Sequence, residues 1–182
     1  FYERDIVGMR PHQIVNMGIS RAFQIPKPFK SMTVRENIEI SLTPNKIFSN
    51  VSLKEIQKKA DAFLELVGLE QEKDDYPESL PYASLKKLEL IKAIAVDPKL
   101  ILLDEPFAGL TNLEMNDISR IIMRLSDRGI TVFVIDHNIR GMVKLVDYMI
   151  VIHFGSKLAE GQPNEVVNNE AVRKAYLSGE LE

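Results

Sequence analysis

Two apolar runs in this sequence end in groups that can handle a metal-bound phosphate. Leu100-Ile101-Leu102-Leu103 leads into Asp104-Glu105-Pro106, and Thr131 to Ile135 leads into Asp136-His137. One carboxylate can orient a hydrated magnesium ion while its neighbour polarises a water. Phosphoryl transfer asks a protein mainly for positioning and charge stabilisation, and a histidine beside a terminal phosphate meets that demand. Plainer readings stand beside this one. Asp104 and Glu105 can be solvated acids after a strand, and His137 a structural histidine.

Such groups need a scaffold. A continuous apolar run reads as a strand buried on both faces, which is the expectation for Leu100 to Leu103 and for Thr131 to Ile135. Leu113 to Leu125 and Ile139 to Val146 have helical spacing, Tyr148 to His153 reads as a strand, and Gly155 turns into a short strand, Lys157 to Ala159. Pro163 opens the last helical segments. Alternation of strand and helix after residue 99 predicts a parallel α/β sheet. Ligands of such sheets bind beyond the carboxyl ends of the strands. The acid pair and the imidazole are therefore expected at a common edge.

Upstream of the acid pair the pattern is helical. Thr33 with Glu36 is a capping box ahead of a helix from Val34 to Leu42. Ser52 or its neighbour caps Leu53 to Val67, and Gly68 ends that helix. Ser84 to Val96 is helical and stops before Pro98. These helices predict a subdomain over residues 32–96, inserted between core segments 1–31 and 97–182. Residues 1–22 read as short mixed segments with Pro11 opening a helix. Gln24-Ile25-Pro26-Lys27-Pro28 cannot be regular helix, and Gln71 to Pro81 reads as a polar loop.

Composition narrows the function classes. The 182 residues are 45% hydrophobic and 27% charged, an ordinary globular balance. A net charge of −3 gives no electrostatic reason to expect a nucleic-acid partner. With no cysteine, disulfides and thiolate metal sites are excluded. The longest apolar candidate for a membrane span, Tyr148 to Phe154, is strand-sized, and no secretory signal opens the chain. A membrane role is expected to come through a partner. The start at Phe1 predicts a trimmed or incomplete chain.

The motifs resemble, in order, those of ATP-binding-cassette (ABC) ATPases. Arg21-Ala22-Phe23-Gln24, followed by Met32 to Asn37, looks like the Q-loop and its helix. Ile101 to Pro106 resembles the Walker B strand, Ala108-Gly109-Leu110-Thr111 the D-loop, and Val134 to His137 the switch-histidine strand. Leu80-Pro81-Tyr82-Ala83-Ser84-Leu85-Lys86 is similar to the tyrosine-containing signature of branched-chain amino-acid importers, and Ala159 to Val166 with Ala175-Tyr176-Leu177 resembles the tail of that subfamily.

The resemblance implies a RecA-like P-loop NTPase core with a parallel sheet, incomplete at its N-terminus, and an inserted helical subdomain. It implies ATP and Mg2+ as ligands. Asp104 would hold magnesium through water, and Gln24 would reach the metal. Glu105 would be the general base, and His137 would contact the γ-phosphate. The signature residues Leu80, Pro81, Tyr82, Ala83, Ser84, Leu85 and Lys86 would offer helix amides to nucleotide held by a second subunit. Gly109 and Thr111 would lie across the dimer seam. Permease subunits would dock near Gln24 to Lys30, at the cytoplasmic face of the membrane. Pro26, Pro28 and Phe29 read equally as plain loop rigidity, and the signature segment can be a plain helix start.

Two departures qualify the resemblance. No Gly-x-x-x-x-Gly-Lys-Ser/Thr occurs; the family places this phosphate loop before the residue where the chain begins. A partial sequence is expected, or a split gene, and these residues alone are expected to hydrolyse ATP negligibly. In the signature, Pro81 lacks an amide, Ala83 replaces a glycine and Ser84 a glutamine. Three functions remain open: the ATPase subunit of an importer, a degenerate non-catalytic partner, and a lipid-export ATPase.

Overall fold

The computed structural model describes residues 1–43 and 52–177. The chain divides into two units, Phe1–Ile135 and Asp136–Glu182.

The first unit opens with α1 (Pro11–Asn16), whose first helical position is the expected proline. Strand β1 (Ile19–Ala22) follows. Next come α2 (Val34–Leu42) and α3 (Leu53–Val67), both with the expected bounds. Thr33 and Ser52 accept the main-chain N–H of Glu36 and Glu55 while those glutamates reach back, so both capping boxes are formed. Gly68 closes α3 in the left-handed region at φ 69°, where a side chain would be strained. Helix α4 (Tyr82–Ile94) starts two residues earlier than its periodicity suggests, with Pro81 in the cap position. Strand β2 (Leu100–Asp104), helix α5 (Asn112–Asp127) and strand β3 (Thr131–Ile135) complete the unit.

The three strands form a parallel sheet in the order β1-β2-β3. Ala22 lies opposite Leu103, and Asp104 opposite Ile135. The carboxyl ends of all three strands are therefore level, which places Asp104 and the loop after Ala22 at one edge. Val34, Ile38, Ala60, Leu64, Leu88, Ile91, Ile101 and Leu125 make the core.

Two expectations are corrected here. Neither strand is buried on both faces. Strand β2 alternates between buried and half-buried residues. Strand β3 is the sheet's edge and leaves Phe133 and Ile135 more than half exposed, because no described residue covers that face. The later strands also do not continue the parallel sheet.

In the second unit, β4 (Met149–His153) and β5 (Ser156–Gly161) pair antiparallel. Phe154 and Gly155 both have positive φ, as a two-residue hairpin turn requires. The turn expected at Gly155 into a short strand is formed, and that strand runs from Ser156 to Gly161, longer at both ends than Lys157 to Ala159. Helix α6 (Ile139–Val143), shorter than expected, precedes this hairpin, and α7 (Pro163–Asn168) and α8 (Glu170–Val172) follow it. The Tyr176 hydroxyl donates to the Ile152 carbonyl at 2.6 Å. No helix among the described residues is long and apolar enough to cross a membrane.

Candidate functional site

Strand β2 ends at Asp104, and the chain then turns sharply. Glu105 takes φ +45°, uncommon for a residue with a Cβ and the kind of strain that collects at working sites. Three bonds fix it there. Its N–H donates to the Ile135 carbonyl at 2.8 Å, and its own carbonyl accepts the Ala108 N–H at 3.2 Å. The same carbonyl accepts the Lys86 ammonium at 3.0 Å.

Gln24 leaves β1 beside this turn. Its Nε2 donates to Glu105 Oε2 at 2.5 Å. Asp104 Oδ2 is paired with Arg21 at 2.7 Å. The structure thus brings together Gln24, Asp104 and Glu105, and adds Arg21, to which the sequence reading gave no role. The signal for Arg21 was present: it is the exposed residue of β1, whose other three residues are buried. With both carboxylates partly exposed and each already engaged by a donor, this edge is a charged mouth rather than a closed pocket.

Leu80 to Lys86, the segment expected to be the signature, lies at the start of α4. The Leu85 N–H makes the first intrahelical bond, to Pro81, so the amides of Tyr82, Ala83 and Ser84 have no partner within the helix. Ala83 sits in the first helical turn with ordinary backbone, and the alanine there strains nothing. Leu80 and Lys86 point inward, at 8% and 6% exposure. Lys86 also lies over the Tyr82 ring, 5.6 Å from its centre.

Gly109 has φ +77°, and a Cβ there would come within 3.1 Å of Tyr82 Cε1. Gly109 and Tyr82, from the two segments expected to be D-loop and signature, are therefore packed on one another within one chain. Thr111 caps α5, accepting the Glu114 N–H while Glu114 accepts from the Thr111 N–H at 2.8 Å and its hydroxyl at 2.7 Å. These bonds hold the Glu114 carboxyl below its ordinary value.

His137 belongs to the second unit. Its ring is 74% exposed, with Nδ1 3.9 Å from Oδ1 of the almost wholly buried Asp136. Asp136 in turn accepts the Asn138 N–H at 2.8 Å, and Asn138 caps α6 through the Gly141 N–H.

The profile of the ABC transporter family matches residues 2–108. The chain belongs to the ABC transporter family. A profile of the branched-chain amino acid ATP-binding cassette transporters matches residues 156–177 of this cassette. Over 189 residues it is 35% identical to the probable branched-chain amino acid transport ATP-binding protein LivG of Archaeoglobus fulgidus, covering 99% of the cassette and 74% of that protein. It is also 31% identical to the lipopolysaccharide export system ATP-binding protein LptB of Escherichia coli, covering 95% and 71%.

Among solved structures, the ADP conformation of MJ1267, an ATP-binding cassette of an ABC transporter, superposes with TM-score 0.83 at 29% identity, over 98% of this cassette and 75% of that chain. The fold is accordingly the RecA-like P-loop NTPase fold of ABC cassettes, with a parallel sheet. The cassette is the ATP-binding subunit type of an ABC transporter, a family that binds ATP and works with permease subunits.

Proposed function

We propose that this cassette couples ATP hydrolysis, in a dimer of cassettes, to import of branched-chain amino acids or similar solutes. The observation that carries the reading is the Gln24–Glu105 bond at the carboxyl edge of the parallel sheet. It sets an amide and a carboxylate side by side where nucleotides bind in such folds.

Asp104 and the amide oxygen of Gln24 are hard oxygen donors of the kind magnesium selects, so these residues fit the ion. When bound with ATP, magnesium would neutralise charge developing on the phosphate oxygens. Glu105 would orient a water and take its proton at a carboxylate oxygen. His137 would donate to the terminal phosphate. The open amides of Tyr82 to Ser84 would meet nucleotide held by the second cassette, and Gly109 and Thr111 would face that cassette. Residues Gln24 to Lys30, where Ile25 and Phe29 are exposed, would dock on permease subunits, with the cassette peripheral at the cytoplasmic face. The 182 residues contain no phosphate loop, and alone they would turn over ATP negligibly.

The branched-chain profile over residues 156–177 and the likeness to LivG support the amino-acid substrate. The likeness to LptB supports a second reading, lipid export. Proline at position 81 supports a third, a non-catalytic partner.

The deciding experiment uses the transporter assembled in liposomes. ATP-dependent leucine uptake that is lost in E105Q, with ATP still bound, is the expected result. Turnover stimulated by lipopolysaccharide alone selects export. Hydrolysis unchanged in E105Q removes Glu105 from its assigned role.

A further inference from the structure

The loop that carries Gln24 is gripped at a single residue, Lys27, by a charge pair on the helix that carries the signature segment. Pro26 and Pro28 have no N–H, so Lys27 is the one residue of that tripeptide with both a main-chain donor and an acceptor. Both are taken by α4. The Lys27 N–H donates to Glu89 Oε2 at 3.2 Å, and the Lys27 carbonyl accepts from Lys92 Nζ at 2.8 Å. Glu89 and Lys92 close the ring with each other at 3.1 Å. Lys92 also lies over the Phe29 ring, 5.4 Å from its centre.

The energetics point away from simple stabilisation. The Glu89 and Lys92 side chains are only 8% and 15% exposed. Removing an ion pair from water costs as much as its attraction returns, unless further hydrogen bonds complete it. Here the completing groups are the main-chain N–H and carbonyl of one residue, Lys27, so the pair specifies a position. Three residues upstream of Lys27, Gln24 reaches Glu105. Three residues upstream of Glu89 on the same helix face, Lys86 holds the Glu105 carbonyl. Helix α4 thus touches Glu105 directly through Lys86, and holds the loop of its partner Gln24 through the Lys27 main chain.

We infer that Glu89 and Lys92 are positioning residues, a clasp that sets Gln24 against Glu105 and makes the loop move with the signature helix. This rests on the ATPase reading for its consequence, while the clasp itself stands on geometry.

Two measurements in the assembled transporter separate the two. The first is amide hydrogen exchange in peptides spanning Gln24 to Lys30, where Lys27 is isolated by its flanking prolines. In E89A and K92M, exchange at Lys27 should quicken about tenfold, with the α4 amides of Ile91 and Ile94 unchanged, and K92R should restore protection. Unaltered exchange at Lys27, or protection lost throughout α4, overturns the clasp.

The second is steady-state ATP turnover. K92M should lower kcat about tenfold at an unchanged KM for ATP, with recovery in K92R. Quickened exchange with kcat unchanged overturns the positioning role. Should the larger substitutions prevent assembly, E89Q keeps an acceptor for the Lys27 N–H and removes only the charge facing Lys92. It should quicken exchange about threefold, and no change there is equally decisive. A wild-type assembly with no turnover defeats the ATPase reading, and the exchange result still judges the clasp.

Discussion

Lys86 donates its ammonium to the main-chain carbonyl of Glu105 at 3.0 Å. The lysine is 6% exposed, and the glutamate it holds is in the left-handed region at φ +45°. A buried ammonium demands partners, and a turn held at an unfavourable backbone angle demands over-determination; each answers the other. K86M should lower stability by about 2 kcal/mol, the worth of a hydrogen bond to a charged group. A fall in the urea midpoint without a change in slope is the expected reading, with K86R recovering part of it. An unmoved midpoint would mean that the bond carries no net stability.

Gly109 tests how the turn before α5 meets Tyr82 at the start of α4. Two separate penalties await a side chain there: φ +77°, and 3.1 Å to Tyr82 Cε1. G109A should cost about 1 kcal/mol for the backbone alone and more for the contact. In a Y82L background the contact part should disappear and the backbone part remain. A double-mutant cycle should then return a coupling of roughly 0.5 kcal/mol or more. Zero coupling would show that Tyr82 moves aside at no cost.

What was legible in the sequence divides by distance along the chain. The bounds of α2 and α3 were readable because capping boxes and a left-handed glycine are local chemistry, complete within a few residues. The start of α4 was not, since Pro81 offers no side-chain cap. Strand β1 has four residues, two of them Ser20 and Arg21, too short and polar to show a strand period. Asp104 and Glu105 stood out because carboxylates ended an apolar run. The Lys27 clasp could not stand out, because its partners are 62 residues apart and nothing local marks the meeting. The turn at Gly155 between two strands was legible because glycine chemistry is local, whereas the pairing of those strands as a separate antiparallel sheet was not, since nothing in a strand's own residues names its neighbour.

The cap of α5 gives a pH dependence with a definite sign. The Thr111 N–H and hydroxyl hold the Glu114 carboxyl below its ordinary 4.5. A depressed folded value means stability that is present above the unfolded value and lost as pH falls through the folded one. T111A should cost about 1 kcal/mol near neutral pH, as lost threonine caps do. The gap between wild type and T111A should narrow as the pH falls below 4.5. Thermal unfolding at a series of pH values checks this, and a gap constant down to pH well below that value would mean that the Thr111 hydroxyl does not act through Glu114, whose bond from the main-chain N–H at position 111 is kept in T111A.

Asn37 anchors the other end of the Gln24 loop and is fully buried. Its Oδ1 accepts the Phe29 N–H at 2.7 Å, and its Nδ2 faces the carbonyls of Phe29, Met32 and Thr33 at 3.0, 3.2 and 2.9 Å. N37A strands these groups away from water and should cost roughly 3 kcal/mol in urea unfolding. N37D should be worse at neutral pH, although it keeps the shape and the acceptor. It turns a donor facing three carbonyls into a carboxylate, a buried charge with no partner. Its penalty should shrink on acidification, because a carboxyl held among carbonyls prefers its proton and can then donate. If N37D is less destabilised than N37A at neutral pH, the amide's donor side is not what holds the loop.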